Sequence, residues 1–265
     1  MRLQLASYNE ANFTSANDST SIEQGILPRH VLQYAERVME KVQLLRYMNG
    51  LSTFATNAAP VRDVTPADVH GMVTKIEAQT AELATAYGVD VVTQASLPSG
   101  KTPADVYGNL TRLSKSLDAL GVPATVPNDV YRVARTLQNA LDELARRNGS
   151  NVETPVVFTA RPMTPADVYS VGLQVIDDLS QIAGDGRRFS VPGGVNSPGQ
   201  KSGPIRPADV NKLLLRVLAD VDAMKYSAGL RTASVKPPLE GGKTPTDVWR
   251  VLTETRAIIA ALNAI

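Results

Sequence analysis

Seven times along this chain of 265 residues a proline stands three residues ahead of a valine in nearly the same tetrapeptide, and that recurrence constrains the fold more than any other feature. Pro-x-Asp-Val occurs at Pro66, Pro103, Pro127, Pro165, Pro207 and Pro245, and a degenerate copy, "LPRHVL", stands at Pro28 with His30 in the Asp position. The steps from proline to proline are 38, 37, 24, 38, 42 and 38 residues. Self-similarity at such a period points to one supersecondary unit used several times.

The motif reads as a helix start. A threonine before the proline can accept a hydrogen bond from a backbone N–H that lacks an intrahelical partner, and proline at the first helical position gives up only an N–H that would be orphaned anyway. The aspartate can reach back to the capping residue's N–H and sits favourably at the positive end of the helix dipole. Thr65 with Asp68, Thr102 with Asp105, Thr164 with Asp167 and Thr244 with Asp247 make the full device. Val126 before Asp129 and Arg206 before Asp209 lack the hydroxyl, so these two copies are expected to be weaker.

Behind each valine, apolar residues return at steps of four, three, four and three, as in Val106, Leu110, Leu113, Leu117, Leu120 and in Val130, Ala134, Leu137, Leu141, Leu144. One apolar stripe per helix follows. Gly88, Gly121, Gly149 and Gly184 stand where left-handed C-terminal turns would need them. The expected fold is therefore all-α, a bundle of about seven amphipathic helices built from a repeat of about 38 residues and joined by long Pro- and Gly-containing connectors.

Residues 1–25 read as a polar arm and 26–265 as the helical domain, with sub-bundles over 26–121 and 122–265. The short connector "GVPATV" predicts that the helices on either side of it pack as an antiparallel hairpin, whereas "GVDVVTQASLPSGK" is long enough to lead to a neighbour of either direction. The loop from Asp185 to Pro207 is the richest in Gly, Pro and Ser and reads as a mobile element, a hinge or a plain surface loop.

Several function classes are disfavoured. The "SGKTPADVY" stretch is not a phosphate-binding loop, because the first glycine of that motif is missing and Pro103 removes a backbone donor; the same holds for "PLEGGKT" before Pro245. With no cysteine and only His30 and His70, there is no spacing suited to a metal and no Ser-His-Asp or Gly-x-Ser-x-Gly signature. Acidic neighbours such as Asp177 with Asp178 read as solvated helix faces. A net charge of +1 names no nucleic-acid partner, and no run of about 18 apolar residues calls for membrane insertion. The compartment stays open, with a periplasmic or secreted location compatible if a signal peptide has been removed.

The residue after the repeat valine has more chemical variety. It is His70, Tyr107, Tyr131, Tyr169, Asn211 or Trp249, a series that combines apolar contact with hydrogen bonding. If the helix starts converge, His70, Tyr107, Tyr131, Tyr169 and Trp249 line a ligand or partner site; otherwise each covers the edge of its own stripe. Two expectations follow. The first is a non-catalytic interaction or structural protein with a protein partner or self-association and no cofactor. The second is a small-molecule-binding or sensory bundle with its pocket at the helix N-terminal ends.

Overall fold

Each of the seven prolines opens a helix. A computed structural model describes residues 25–54, 59–88, 100–150 and 155–264. Within them lie α1 (Pro28–Met48), α2 (Pro66–Ala86), α3 (Pro103–Ala119), α4 (Pro127–Arg147), α5 (Pro165–Ile182), α6 (Pro207–Ser227) and α7 (Pro245–Ala264). No strand occurs among the described residues. The arm read over 1–25 falls outside the described residues except for Gly25, and most of the connector before α3 falls outside them too.

The starts are held by short polar bonds. The Thr65 N–H donates to Asp68 Oδ2 at 2.8 Å, and the Asp68 N–H returns to Thr65 Oγ1 at 3.4 Å. Thr102 with Asp105, Thr164 with Asp167, and Thr244 with Asp247 make the same pair of bonds. At Val126 and Arg206 only the N–H to carboxylate half is present, to Asp129 and Asp209, both at 2.9 Å.

Five stripes are buried throughout. In α1 the residues Val31, Ala35, Val38, Val42 and Leu45 are inaccessible or nearly so, and the stripes of α4, α5, α6 and α7 behave alike. Thr255, the polar member of the α7 stripe, turns its hydroxyl back to the Val251 carbonyl at 2.7 Å. The α2 and α3 stripes are only partly covered, because each of these helices packs mainly on α1. In α3 the buried line is Tyr107, Leu110, Ser114 and Leu117, so Val106, Leu113 and Leu120 lie at its edge. Helix α6 is the opposite case, buried on nearly every side between α1, α4 and α5.

Helix directions follow from residue pairs. Gln43 meets Gln79 and Arg46 meets Glu82, so α1 and α2 are parallel; Tyr34 on Tyr107 and Lys41 on Ser114 make α3 parallel to α1 as well. Asn128 with Lys243 and Gln138 with Glu254 align α4 with α7, and Asp178 with Arg256 alongside Met163 with Thr246 align α5 with α7. Glu143 with Lys225, together with Arg132 and Asn211 at a shared cavity, aligns α6 with α4. Across the two sets α1 and α6 are antiparallel, since His30 meets Asp220 while Tyr34 lies under Lys212.

The chain therefore reverses once, at the connector between α3 and α4. The expected hairpin does not form: α3 packs on α1, while α4 packs on α6 and α7. A short connector fixes how close two helix ends lie, but the buried face of α3 is already taken by α1 and that of α4 by α6 and α7. Gly121, at φ +102, helps turn the chain, with the Val122 N–H bonded to the Leu117 carbonyl at 3.2 Å and Val122 itself buried.

Two other expectations are corrected. Gly184 does not terminate α5 in a left-handed turn; Ala183 there is extended, and the Gly184 N–H bonds to the Phe189 carbonyl at 2.9 Å. The 185–207 loop is not a plain surface loop, because Phe189, Val191 and Val195 are buried in the common core.

Candidate functional site

The aromatic series does not gather into one pocket. His70 is exposed, while Tyr131 is half-buried with the Lys243 ammonium 4.4 Å above its ring and Trp249 packs half-buried against the core. Tyr107 and Tyr169 are both buried, Tyr107 against Tyr34 with ring centroids 4.7 Å apart. Lys212 Nζ lies 5.3 Å from the Tyr34 centroid and 5.7 Å from that of Tyr107, within cation–π range.

Tyr107 from α3 and Tyr169 from α5 meet through a third residue. Both side chains lie near Arg216 of α6, a guanidinium held at 1% exposure. Arg216 donates to the Asn196 carbonyl at 2.8 Å and to that of Gly25 at 3.3 Å. One turn further along α6 stands Asp220, fully buried, whose Oδ1 accepts from Arg29 Nε at 2.7 Å and lies 2.8 Å from His30 Nε2. Arg29 also donates to the carbonyls of Pro192 and Gly194, at 2.7 and 2.6 Å. The start of α1, the middle of α6 and the 192–196 loop are thus tied by one polar cluster.

Its electrostatics follow from burial. Desolvation lowers the His30 imidazole below its usual value, so His30 is neutral in the fold. Burial would raise the Asp220 carboxyl, but the hydrogen bonds from His30 and Arg29 and the positive charge of Arg29 outweigh it and hold Asp220 low. Burial pushes the Tyr169 phenol up to about 12. The Tyr169 hydroxyl and Asp220 Oδ2 are enclosed without a hydrogen-bond partner.

Other buried charges act as pins between helices. Lys41 joins α1 to Ser114 and Asp118 of α3, at 2.8 and 2.6 Å. Arg46 joins α1 to the Gln79 carbonyl at 3.2 Å and to Glu82 at 2.6 Å on α2. Lys225 joins α6 to Glu143 of α4 at 2.8 Å and to the Thr232 carbonyl at 2.8 Å. Between α5 and α6 close packing takes this role, since a Cβ on Gly172 would stand 2.8 Å from Leu213 Cδ2.

None of these clusters is visible as a local motif, but α6 gives one signal. Arg216 and Asp220, four residues apart inside "LLLRVLADV", are charges set within the most apolar run of α6.

Open space lies elsewhere. A shallow depression of about 520 Å³ is lined by Thr159–Met163, the Thr244–Thr246 start of α7, and Arg250. Beside it Val156 and Phe158 stand 76% and 83% exposed. A second cavity, between α1, α4, α6 and Lys236, measures only about 20 Å³ and suits nothing larger than a water-sized guest.

Among the described residues no three His, Cys, Asp or Glu side chains are placed to share a metal ion, and no helix is long and apolar enough to cross a membrane. The Thr102 hydroxyl, which a phosphate-binding loop would turn to a metal, donates instead to Asp105 at 2.8 Å. Comparison with protein-family models, with curated proteins and with solved structures finds no match to this chain.

Proposed function

We propose that this chain is a non-catalytic interaction or structural protein, assembled from a duplicated helix-plus-strap unit, that associates with further copies of itself. The observation that carries the reading is the run from Pro155 to Ala160. It is uncharged, rich in β-favouring residues, and presents Val156 and Phe158 outward next to the open depression. The polar residues of the interior support the same reading, since Lys41, Arg46, Lys225 and Asp220 are each engaged in bonds between helices or to a connector.

Sedimentation equilibrium over a concentration series tests this. Wild-type protein should gain mass with concentration, and Val156→Ser with Phe158→Ser should remain a monomer with unchanged helicity. A wild-type chain that is monomeric at every concentration, or a double variant that associates as well as wild type, refutes the assignment.

A second reading, a small-molecule-binding bundle, is favoured by the Tyr169 hydroxyl and Asp220 Oδ2, two buried polar atoms without partners near Arg216. Native mass spectrometry against the denatured mass decides it: a carried ligand appears as extra mass that denaturation removes.

A further inference from the structure

The start of α1 differs from the others in one residue. Where the other six helices carry Asp, α1 carries His30, and its first turn holds no acidic residue at all. The imidazole nevertheless fills the same place. Its Nδ1 lies 3.0 Å from the Leu27 backbone nitrogen, which can only donate, so Nδ1 must present a lone pair. The ring proton is then on Nε2, where it is donated to Asp220 Oδ1 at 2.8 Å. Both ring nitrogens are committed, one to capping α1 and the other to holding α6.

We propose that His30 is a proton-sensitive latch between α1 and α6. A second proton has only Nδ1 to go to. Once there, it turns the acceptor that caps α1 into a donor facing another donor, and the first turn of α1 loses its cap bond.

The surroundings amplify the effect. From α1 the group is faced by Arg29, and from α6 by Arg216 and Asp220; Tyr107 of α3 and Tyr169 of α5 reach it only through Arg216. The 192–196 loop contributes carbonyls to Arg29 and Arg216. Two guanidiniums already stand against a single carboxylate, so a third positive charge is repelled. Relief comes from letting the start of α1 and the 192–196 loop part from α6, which readmits water.

The direction with pH is fixed by linkage. Because burial lowers the folded value of His30 below 6.5, the open form takes the proton first. The latch is fully closed above that pH and weakens as pH falls below it. Global stability is a poor readout, since burial raises the carboxyls of Asp222 and Glu36 and so gives the opposite slope. A local measurement is required.

The chain supplies its own control, because His70, its other histidine, is exposed. Nitrogen-15 spectra of the two imidazoles at neutral pH should show His30 with a bare Nδ1 and a protonated Nε2. Amide exchange at Leu27, His30 and Val31 should then accelerate about tenfold per pH unit below 6.5 in step with local opening, after correction for intrinsic rates. His30→Gln, whose Oε1 can take the Leu27 N–H while Nε2 donates to Asp220, should make the opening independent of pH in that range.

A protonated Nδ1 at neutral pH overturns the proposal. So does a first turn whose opening in wild type does not change with pH, or changes equally in His30→Gln. If the variant does not fold, the wild-type tautomer and exchange slope decide the matter.

Discussion

Replacing Lys225 by Met removes a charge while keeping most of the side chain's length. Lys225 is fully enclosed, with Nζ 2.8 Å from Glu143 Oε2, 2.8 Å from the Thr232 carbonyl and 3.3 Å from Ser234 Oγ. Taking one partner from a buried ion pair costs about 3–5 kcal/mol, because the other charge is left uncompensated. Here Glu143 retains 30% exposure and can turn to water, and methionine refills the space, so the low end, about 3 kcal/mol, is expected. For a chain of this size that is a fall in Tm of roughly 6–12 °C. The loss should depend on pH. Burial raises the Asp222 carboxyl to about 6, even with Ser234 and Lys225 lowering it, and without the ammonium it climbs further. A raised acid stabilises the fold when protonated and loses that contribution as pH rises through its folded value. Urea unfolding should therefore show a smaller penalty at pH 5 than at pH 8, with early exchange of the connector at Thr232 and Ser234. A penalty below about 0.5 kcal/mol at pH 8, within the range of an ordinary surface substitution, would refute the reasoning.

Asp105→Ala removes the acceptor for the Thr102 N–H and should cost roughly 0.5–2 kcal/mol in urea titration, without altering any phosphate binding. Its carboxyl is held low by the Thr102 backbone and hydroxyl bonds, so this contribution is present at neutral pH and vanishes in strong acid. Two helix-interior glycines should respond with opposite signs. Gly172→Ala meets Leu213 Cδ2 at 2.8 Å and should destabilise by about 1–3 kcal/mol, while Gly71→Ala has nothing within 4 Å and should stabilise by about 0.4–1 kcal/mol in the same titration.

What sequence periodicity could reveal depended on how many neighbours each helix has. The stripes of α1 and α4 could be read residue by residue because their apolar faces are wholly buried. In α2 and α3 the same spacing overstates burial, since a helix packed mainly on one neighbour covers only a narrow line. Helix α6 shows the reverse error: its second apolar face, including Leu213 and Leu215, belongs to contacts that no single stripe describes. The polar pins were illegible for a different reason. Lys225 and Glu143 are far apart in the chain, as are His30 and Asp220, and nothing local to either residue names the other. The 185–207 loop misled through composition, since its glycines and prolines shape a path that carries Phe189, Val191 and Val195 into the core.

Connector length explains why the polar cluster lies where it does. A helix of about 20 residues is roughly 30 Å long, and the connectors of 16 to 24 residues can run back along it and start the next helix at the same end. The seven residues between Ala119 and Pro127 cannot, so α4 starts where α3 stops and the later helices run opposite to α1, α2 and α3. The first two turns of α1 then pass the stretch of α6 from Lys212 to Asp220, which sets the start of α1 beside Asp220. An aspartate at position 30, as the repeat would dictate, would bury a second carboxylate against the first, an arrangement that like-charge repulsion and desolvation both oppose. Histidine avoids this by accepting the capping N–H through one nitrogen and donating to Asp220 through the other. The one departure from the repeat's aspartate thus falls at the helix start that the reversal brings against a buried acid.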